Sequence, residues 1–342
     1  MVAVCLVVYS HLVGIWLHQH HDTSTVAAVF QGFAAHPLDQ SLDLGDFGVV
    51  LFFLVSGFIV THTGFQERPA QYAVKRFLRI YPMLLVAVLV AAVLFTAGLH
   101  PLTTGHPATV TPLTLLTNTS LANYLVTPQV VLVDVSWTLV IEVLFYALLL
   151  VTLPLLRRWV WPVVLGEFGV VAAVTLTAHL GGTTWSLFAM NVSYLPALLL
   201  GQVVWAAWSR RVPLWAGAVL GLLAWSEYVW ASGPGERTDP AYNYDLNLAI
   251  GLAVFLAGLL AEPGLRRVRL VGYLADRSYS LYLLHGVLGY AAMNLLAARI
   301  GFPAALAAGL VVTLLGVEAA YRWVERPSMR LARRIARRWR PA

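Results

Sequence analysis

The sequence predicts an all-α fold: a polytopic membrane helix bundle of about ten transmembrane helices, with both termini cytoplasmic. Three observations carry this. Hydrophobic residues make up 59% of the 342 and charged residues only 11%, against about 45–50% and about 25% in an average soluble chain. Apolar runs of about 20 residues, the length of helix that crosses a bilayer, recur with short polar breaks. The positive charges are also segregated: with ten spans, 20 of the 22 lysines and arginines fall on the side that holds both termini, and the positive-inside bias makes that side cytoplasmic.

The spans read, roughly, as 1–17, 46–63, 80–98, 137–156, 159–178, 187–208, 212–230, 245–261, 279–298 and 302–323. Runs such as Met83–Val93 and Val140–Leu150 lack the period-two alternation of barrel strands. The first span has no basic n-region and no small-residue cleavage site before His18, so it reads as a span and not a cleavable signal. Lys75, Arg76, Arg79, Arg157, Arg158, Arg210, Arg211 and Arg277 are among the cytoplasmic cations, and only Arg237 and Arg299 fall outside. The longest outer segments are about 18–45 and 99–136. No appended soluble domain is expected. The chain divides into a membrane unit over 1–328 and a basic cytoplasmic tail over 329–342, which serves as a topology anchor or lies on anionic lipid.

Composition removes several function classes. A net charge of +6 and a pI near 9.6 do not make a soluble nucleic-acid binder at a mean hydropathy of +0.76. The single cysteine, Cys5, excludes an internal disulfide and a thiolate metal cluster. No phosphate-binding or dinucleotide-binding glycine motif is present, and the histidines lack the spacing of a zinc site. No metal is expected.

Polar residues inside apolar spans are costly, about 2.5 kcal/mol or more for a charge, and so face the bundle interior. His11 sits in Val-Val-Tyr-Ser-His-Leu. Its neutral imidazole can take a proton from a hydroxyl or simply bond a neighbouring helix. Glu142 shares a helix face with Thr138 and Tyr146, four residues to either side. Its carboxylate could orient His11 and stabilise the imidazolium, or be a neutral interhelix bond. Arg76 and Arg79, three apart at the entry of the third span, could grip phosphate bidentately or be ordinary positive-inside charge. Ser56 and His285 complete the polar list. Glu167, Glu227 and Glu318 read as structural or interfacial, and His62 as a snorkelling residue.

At these residues the sequence resembles the bacterial membrane-bound acyltransferase family 3, O-acetylases of sugars, lipids and macrolides. Ala3-x-x-Leu6-Val-Val-Tyr-Ser-His11 resembles the first-span motif that ends in the family's functional histidine. The stretch from Gly48 through Ser56-Gly57-Phe58-Ile59 resembles the second-span signature. Arg76-Phe-Leu-Arg79-Ile-Tyr-Pro82 resembles the Arg-x-x-Arg-x-x-Pro signature. Ser136-Trp137-Thr-Leu-x-x-Glu142-x-x-Phe145-Tyr146 resembles a Trp-Ser-Leu-x-x-Glu-x-x-Phe-Tyr segment. Ser278-Tyr279-Ser280-Leu-Tyr282-Leu-Leu-His285 and Glu325-Arg-Pro327 resemble the late signatures. Six segments in family order cover nearly the whole chain. There are departures. The arginine that the family carries eleven residues before the histidine would fall one residue before Met1, so a truncated or late start is expected. Thr138 stands where serine is common.

The resemblance implies an integral-membrane O-acyltransferase of the bacterial inner membrane. It would move an acyl group, acetyl from acetyl-CoA, to a hydroxyl of a polysaccharide, glycolipid or macrolide. His11 would be general base or acyl carrier, and Glu142 its partner. Arg76 and Arg79 would dock the phosphates of acyl-CoA, with Lys75 adding field. Ser56, Ser136, Trp137, Tyr146 and His285 would line the pocket. Membrane lipids are the remaining partner, and no nucleic acid is expected. The alternative is a transporter or exporter of the same family type without chemistry.

Overall fold

The computed structural model describes residues 1–30, 32, 44–104, 109–235, 237 and 243–337. Parts of both expected outer segments, 33–43 and 105–108, therefore lie outside the described residues. Among those described the chain is all-helical, 84% helix with no strand. We number the main helices α1 Val2–Gln19, α2 Leu44–Gln66, α3 Pro69–Thr96, α4 Pro112–Ser120, α5 Asp134–Leu156, α6 Val160–Leu176, α7 Gly182–Trp208, α8 Leu214–Trp230, α9 Tyr244–Leu265, α10 Arg269–Ile300 and α11 Phe302–Arg337.

Eight of them are long and apolar enough to cross a membrane: α1, α2, α3, α5, α7, α9, α10 and α11. The sequence count of ten adds α6 and α8, which have 17 residues each, about 25 Å at the α-helical rise and the lower limit for a span. Boundaries move where charge obscured them. The third span starts at Pro69, not near residue 80, because proline suits the first helical position and the Gln71 side chain accepts the Arg68 N–H at 3.1 Å. The last helix continues past residue 323 to Arg337, and the basic segment lies along α3, where Gln71 donates to the Ala336 carbonyl at 2.8 Å. Arg269 rather than residue 279 opens α10, since an amphipathic, arginine-containing turn precedes the apolar run. Gly301, at φ +74°, makes the sharp turn between α10 and α11, in a conformation that glycine adopts without steric penalty.

The hub is α2, with 78% of its apolar window buried, whereas α9 shows only 17% and lies at the periphery. Hydrocarbon gives helices no hydrophobic reason to associate, so close backbone approach has to supply the attraction. Between α2 and α7 the approach is reciprocal. A Cβ on Gly57 would lie 1.9 Å from the Leu198 carbonyl oxygen, and one on Gly201 would lie 2.2 Å from that of Leu54. The glycine of the second-span signature thus has a packing reason.

That contact generates a stability expectation. Gly57→Leu should lower the melting temperature or abolish a monodisperse peak in detergent, since overpacking costs about 1–3 kcal/mol even where side chains can yield and here backbone blocks it. Gly166→Leu, which meets nothing within 4 Å, should behave as the parent chain in the same thermal scan.

Candidate active site

Two polar centres sit inside the bundle. The first is built on histidine. His11 and His285 come from α1 and α10, 274 residues apart, and join by a 3.0 Å bond between His11 Nδ1 and His285 Nε2. Their rings stack with centroids 5.0 Å apart and planes at 26°. Both lie in π-helical turns, Ser10–Ile15 and His285–Gly289, and such turns recur at functional positions. The third member is Asp134 at the head of α5, its carboxylate 3.9 Å from His11 Nε2.

The proton positions follow from the partners. His285 Nδ1 lies 3.1 Å from the Leu281 carbonyl oxygen, which can only accept, so that nitrogen carries the proton. A neutral His285 then offers the lone pair of Nε2, and His11 Nδ1–H donates to it. In the neutral ring this puts the lone pair on His11 Nε2, the nitrogen that faces Asp134. His285 is wholly buried, whereas the His11 side chain keeps 12% exposure. The arrangement orients a base from behind and places a carboxylate where the imidazolium would form.

The second centre is a cavity of about 240 Å³ walled by Phe52, Ser56, Arg76, Arg79, Glu142, Tyr146, Tyr279 and Tyr282, with Met1 at its edge. Tyr146 donates to Glu142 Oε1, as the four-residue spacing suggested, and Ser56 donates to the same oxygen at 3.3 Å. Arg79 pairs with Glu325 at 2.8 Å and lies 5.0 Å from the Tyr279 ring centroid. Ser280 donates to the other Glu325 oxygen at 2.5 Å. Arg76 donates to Thr63 at 2.5 Å and faces the rings of Tyr72 and Tyr146 at 5.3 and 5.6 Å. Its Nε is buried with no bonding partner.

The expected site residues therefore divide. Ser56, Arg76, Arg79, Glu142 and Tyr146 meet at the cavity. His11 and His285 meet at the other centre with Asp134, which the sequence reading left inside an outer segment. Glu142, expected to orient His11, lies eight residues beyond Asp134 along α5, about 12 Å by helical rise, and is engaged by Tyr146 and Ser56. The position beside His11 goes to Asp134. Lys75 does not line the cavity: it pairs with Glu67 at 2.5 Å. Ser136 lies at the head of α5, bonded to the Tyr124 hydroxyl at 2.9 Å, and Trp137 packs on Tyr194 at 5.4 Å. The link between the centres is Tyr282. Its ring lines the cavity, stacks on Phe52 at 5.8 Å, and lies 6.3 Å from the ring of His285, while its hydroxyl meets Thr138 at 2.8 Å.

Of the remaining intramembrane acids, Glu167 and Glu318 are tied to neighbouring helices, whereas Glu227 keeps a buried Oε2 without a hydrogen-bond partner. Thr152 and Gln202 donate to the two oxygens of Glu167 at 2.6 and 2.7 Å. Glu318 binds Arg277 at 2.5 Å and also pairs with Arg322. His62 accepts from the Trp205 indole at 3.2 Å, so it is held by a helix neighbour instead of snorkelling free. Among the described residues no group of three or more histidine, cysteine or acidic side chains could hold a metal ion.

A family model described as an acyltransferase domain matches residues 1–322. The chain is similar to the exopolysaccharide production protein ExoZ of Rhizobium meliloti (strain 1021), 33% identical over 316 residues that cover 88% of this chain and 94% of that protein. It is also similar to nodulation protein 10 of Rhizobium leguminosarum bv. viciae, 28% identical over 318 residues, covering 83% and 79%. No solved structure matches.

Proposed function

The chain belongs to the acyltransferase-3 family, and from that premise we propose that it transfers an acetyl group from acetyl-CoA to a hydroxyl of an exopolysaccharide or its precursor, with His11 as the general base. The enzyme class, acyltransferase, follows from the family. The observation that carries the finer reading is the ordered set Leu281 carbonyl, His285, His11, Asp134, which leaves one imidazole nitrogen basic and faced by a carboxylate. The choice of acceptor rests on the relative named for exopolysaccharide production.

In this reading the donor enters at the cavity. Its phosphates meet Arg76 and Arg79, whose guanidinium groups suit phosphate oxygens. The pantetheine arm carries the thioester past Phe52 and Tyr282 toward the histidine pair, an interval of about 12 Å along α5. For it to arrive, the Tyr282 ring has to turn aside. At the far end the acceptor O–H gives its proton to His11 Nε2 while its oxygen attacks the thioester carbonyl carbon. The carbon–sulfur bond breaks, and the imidazolium returns the proton to the leaving thiolate. Asp134 stabilises the imidazolium between those steps, and His285 holds the ring so that Nε2, not Nδ1, faces the acceptor. The basic ends lie in the cytoplasm of a bacterial inner membrane and the histidine centre near the opposite face, in a bundle of ten spans that counts α6 and α8.

Four outcomes are expected. His11→Ala should abolish acetyl transfer in a radiolabelled-donor assay on purified protein, and Asp134→Asn should lower kcat by at least about 10-fold, within the range of general-base effects, with donor KM nearly unchanged; transfer by the His11 variant would end the assignment. Arg76→Gln should raise KM for acetyl-CoA several-fold more than KM for acceptor, and an equal rise in both would remove the phosphate-docking role. A cysteine introduced at Arg334 in a Cys5→Ser background should react with an impermeant maleimide only in inside-out vesicles, and labelling from the outer side would reverse the topology.

A further inference from the structure

Arg237 is one of two cations that the charge distribution leaves on the outer face. The other, Arg299, is solvent-exposed at the end of α10. Arg237 is not: it keeps 6% of its surface and lies inside a cage of three tyrosine rings. Its guanidinium carbon is 4.6 Å from the Tyr194 centroid, 4.4 Å from Tyr228 and 4.6 Å from Tyr244. One nitrogen, Nη2, donates to the Tyr228 carbonyl. The other two, Nε and Nη1, are buried with no bonding partner. Among the described residues no carboxylate lies within 4 Å of it. Asp46, at the head of α2, is the acid within electrostatic reach of the cage tyrosines.

A buried guanidinium is a poor structural filler. Ring faces compensate part of its charge, but two unmet N–H groups in a dry site each forgo a hydrogen bond, and an unpaired buried charge is strongly unfavourable. The position also runs against the positive-inside bias that 20 of the 22 cations of the chain follow. Among the described residues none supplies an anion that would satisfy all three terms; one from outside the chain would.

The cage is also placed for a substrate. It gathers the ends of α8 and α9 and the start of the second half of α7, at the same end of α2 as Asp46. Thr63, which binds Arg76 at the cavity end, lies 17 residues further along that helix, about 25 Å away by helical rise. Tyr194 packs on Trp137 at 5.4 Å, and Trp137 is three residues from Asp134, the carboxylate beside His11. Cage and histidine centre thus share the head of α5. Tyr228 is buried, but Tyr194 and Tyr244 keep partial exposure, and aromatic side chains beside an arginine suit a sugar whose C–H face meets a ring while an acidic substituent meets the charge.

We propose that Arg237, within Tyr194, Tyr228 and Tyr244, is an anion-binding acceptor subsite that takes the carboxylate or phosphate of an acidic saccharide while a hydroxyl of the same molecule reaches His11. The proposal deepens the acyltransferase reading and rests on it for the hydroxyl's fate. The cage itself is tested without acyl donor. Full-length protein in nanodiscs is titrated with a glucuronate-containing oligosaccharide, its carboxyl-reduced counterpart, and that neutral counterpart bearing a terminal phosphate, with binding followed by calorimetry. The parent chain should bind at least one anionic probe 10-fold or more tighter than the neutral one, and which probe it prefers names the source of the charge. Arg237→Gln should bind all three as the parent binds the neutral probe, and Arg237→Lys should keep part of the preference. Equal binding of the three probes by the parent chain, or discrimination retained in Arg237→Gln, would overturn the proposal. If Arg237→Gln does not fold, the parent-chain comparison and Arg237→Lys still decide it. Charge discrimination in a protein that moves no acetyl group would leave the cage standing and remove the transfer reading. Normal transfer with no discrimination would do the reverse.

Discussion

A polar side chain inside hydrocarbon has no water to turn to, so it must find its partner on another helix. That constraint organises this bundle. Glu142 of α5 is met by Ser56 of α2, Glu325 of α11 by Arg79 of α3 and Ser280 of α10, and Glu167 of α6 by Thr152 of α5 and Gln202 of α7. The His11–His285 bond ties the first helix to the tenth. Each clasp holds two or more helices at a fixed relative depth. Hydrophobic matching alone would let apolar helices slide and rotate against one another in lipid. These contacts do not.

The constraint also separates the two centres. The charge-rich cavity lies toward the end where Arg76 and Arg79 enter, and the histidine centre lies near the head of α5. A donor with several phosphates is held most favourably where cations are dense and water is near. A base that must deprotonate an alcohol works better away from that field, since nearby arginines would favour its neutral form and oppose the imidazolium. In the proposed mechanism, distance along one helix therefore separates an environment for binding charge from one for moving a proton. Tyr282, anchored through its hydroxyl to Thr138 and stacked on Phe52, forms the shared wall between them.

What was legible in the sequence follows the same physics. Eight of the spans were legible because about twenty apolar residues are the length of helix that crosses a bilayer. The Glu142–Tyr146 bond was legible because a four-residue spacing fixes a face within one helix. The identity of cross-helix partners was not, because periodicity says which face a residue occupies and not which helix that face meets. Asp134 escaped for that reason, and because it precedes the apolar run and sat in a segment read as an outer loop. Glu325 was visible only as part of a late signature, with no indication that it would hold Arg79. Arg237 stood out as one of two exceptions to the charge asymmetry. Its burial depends on three tyrosines from α7, α8 and α9, and no spacing announces that.

Among the described residues, three π-helical turns in the long spans follow from the same constraint. They cover Ser10–Ile15, His285–Gly289 and Tyr321–Glu325, and so include His11, His285 and Glu325. A π turn admits one extra residue, which widens the helix and rotates every later side chain relative to the regular repeat. In a regular helix, a residue needed at one depth and its apolar neighbours needed toward lipid are locked to a single phase. The insertion breaks that phase where a polar group must point inward at a set angle, and the apolar face resumes beyond it. The histidine pair requires such freedom on both sides, because two rings meeting nitrogen to nitrogen have to match in depth and in azimuth together. Local helical regularity is therefore given up at residues whose cross-helix partners fix their depth and angle, and kept elsewhere along the same spans.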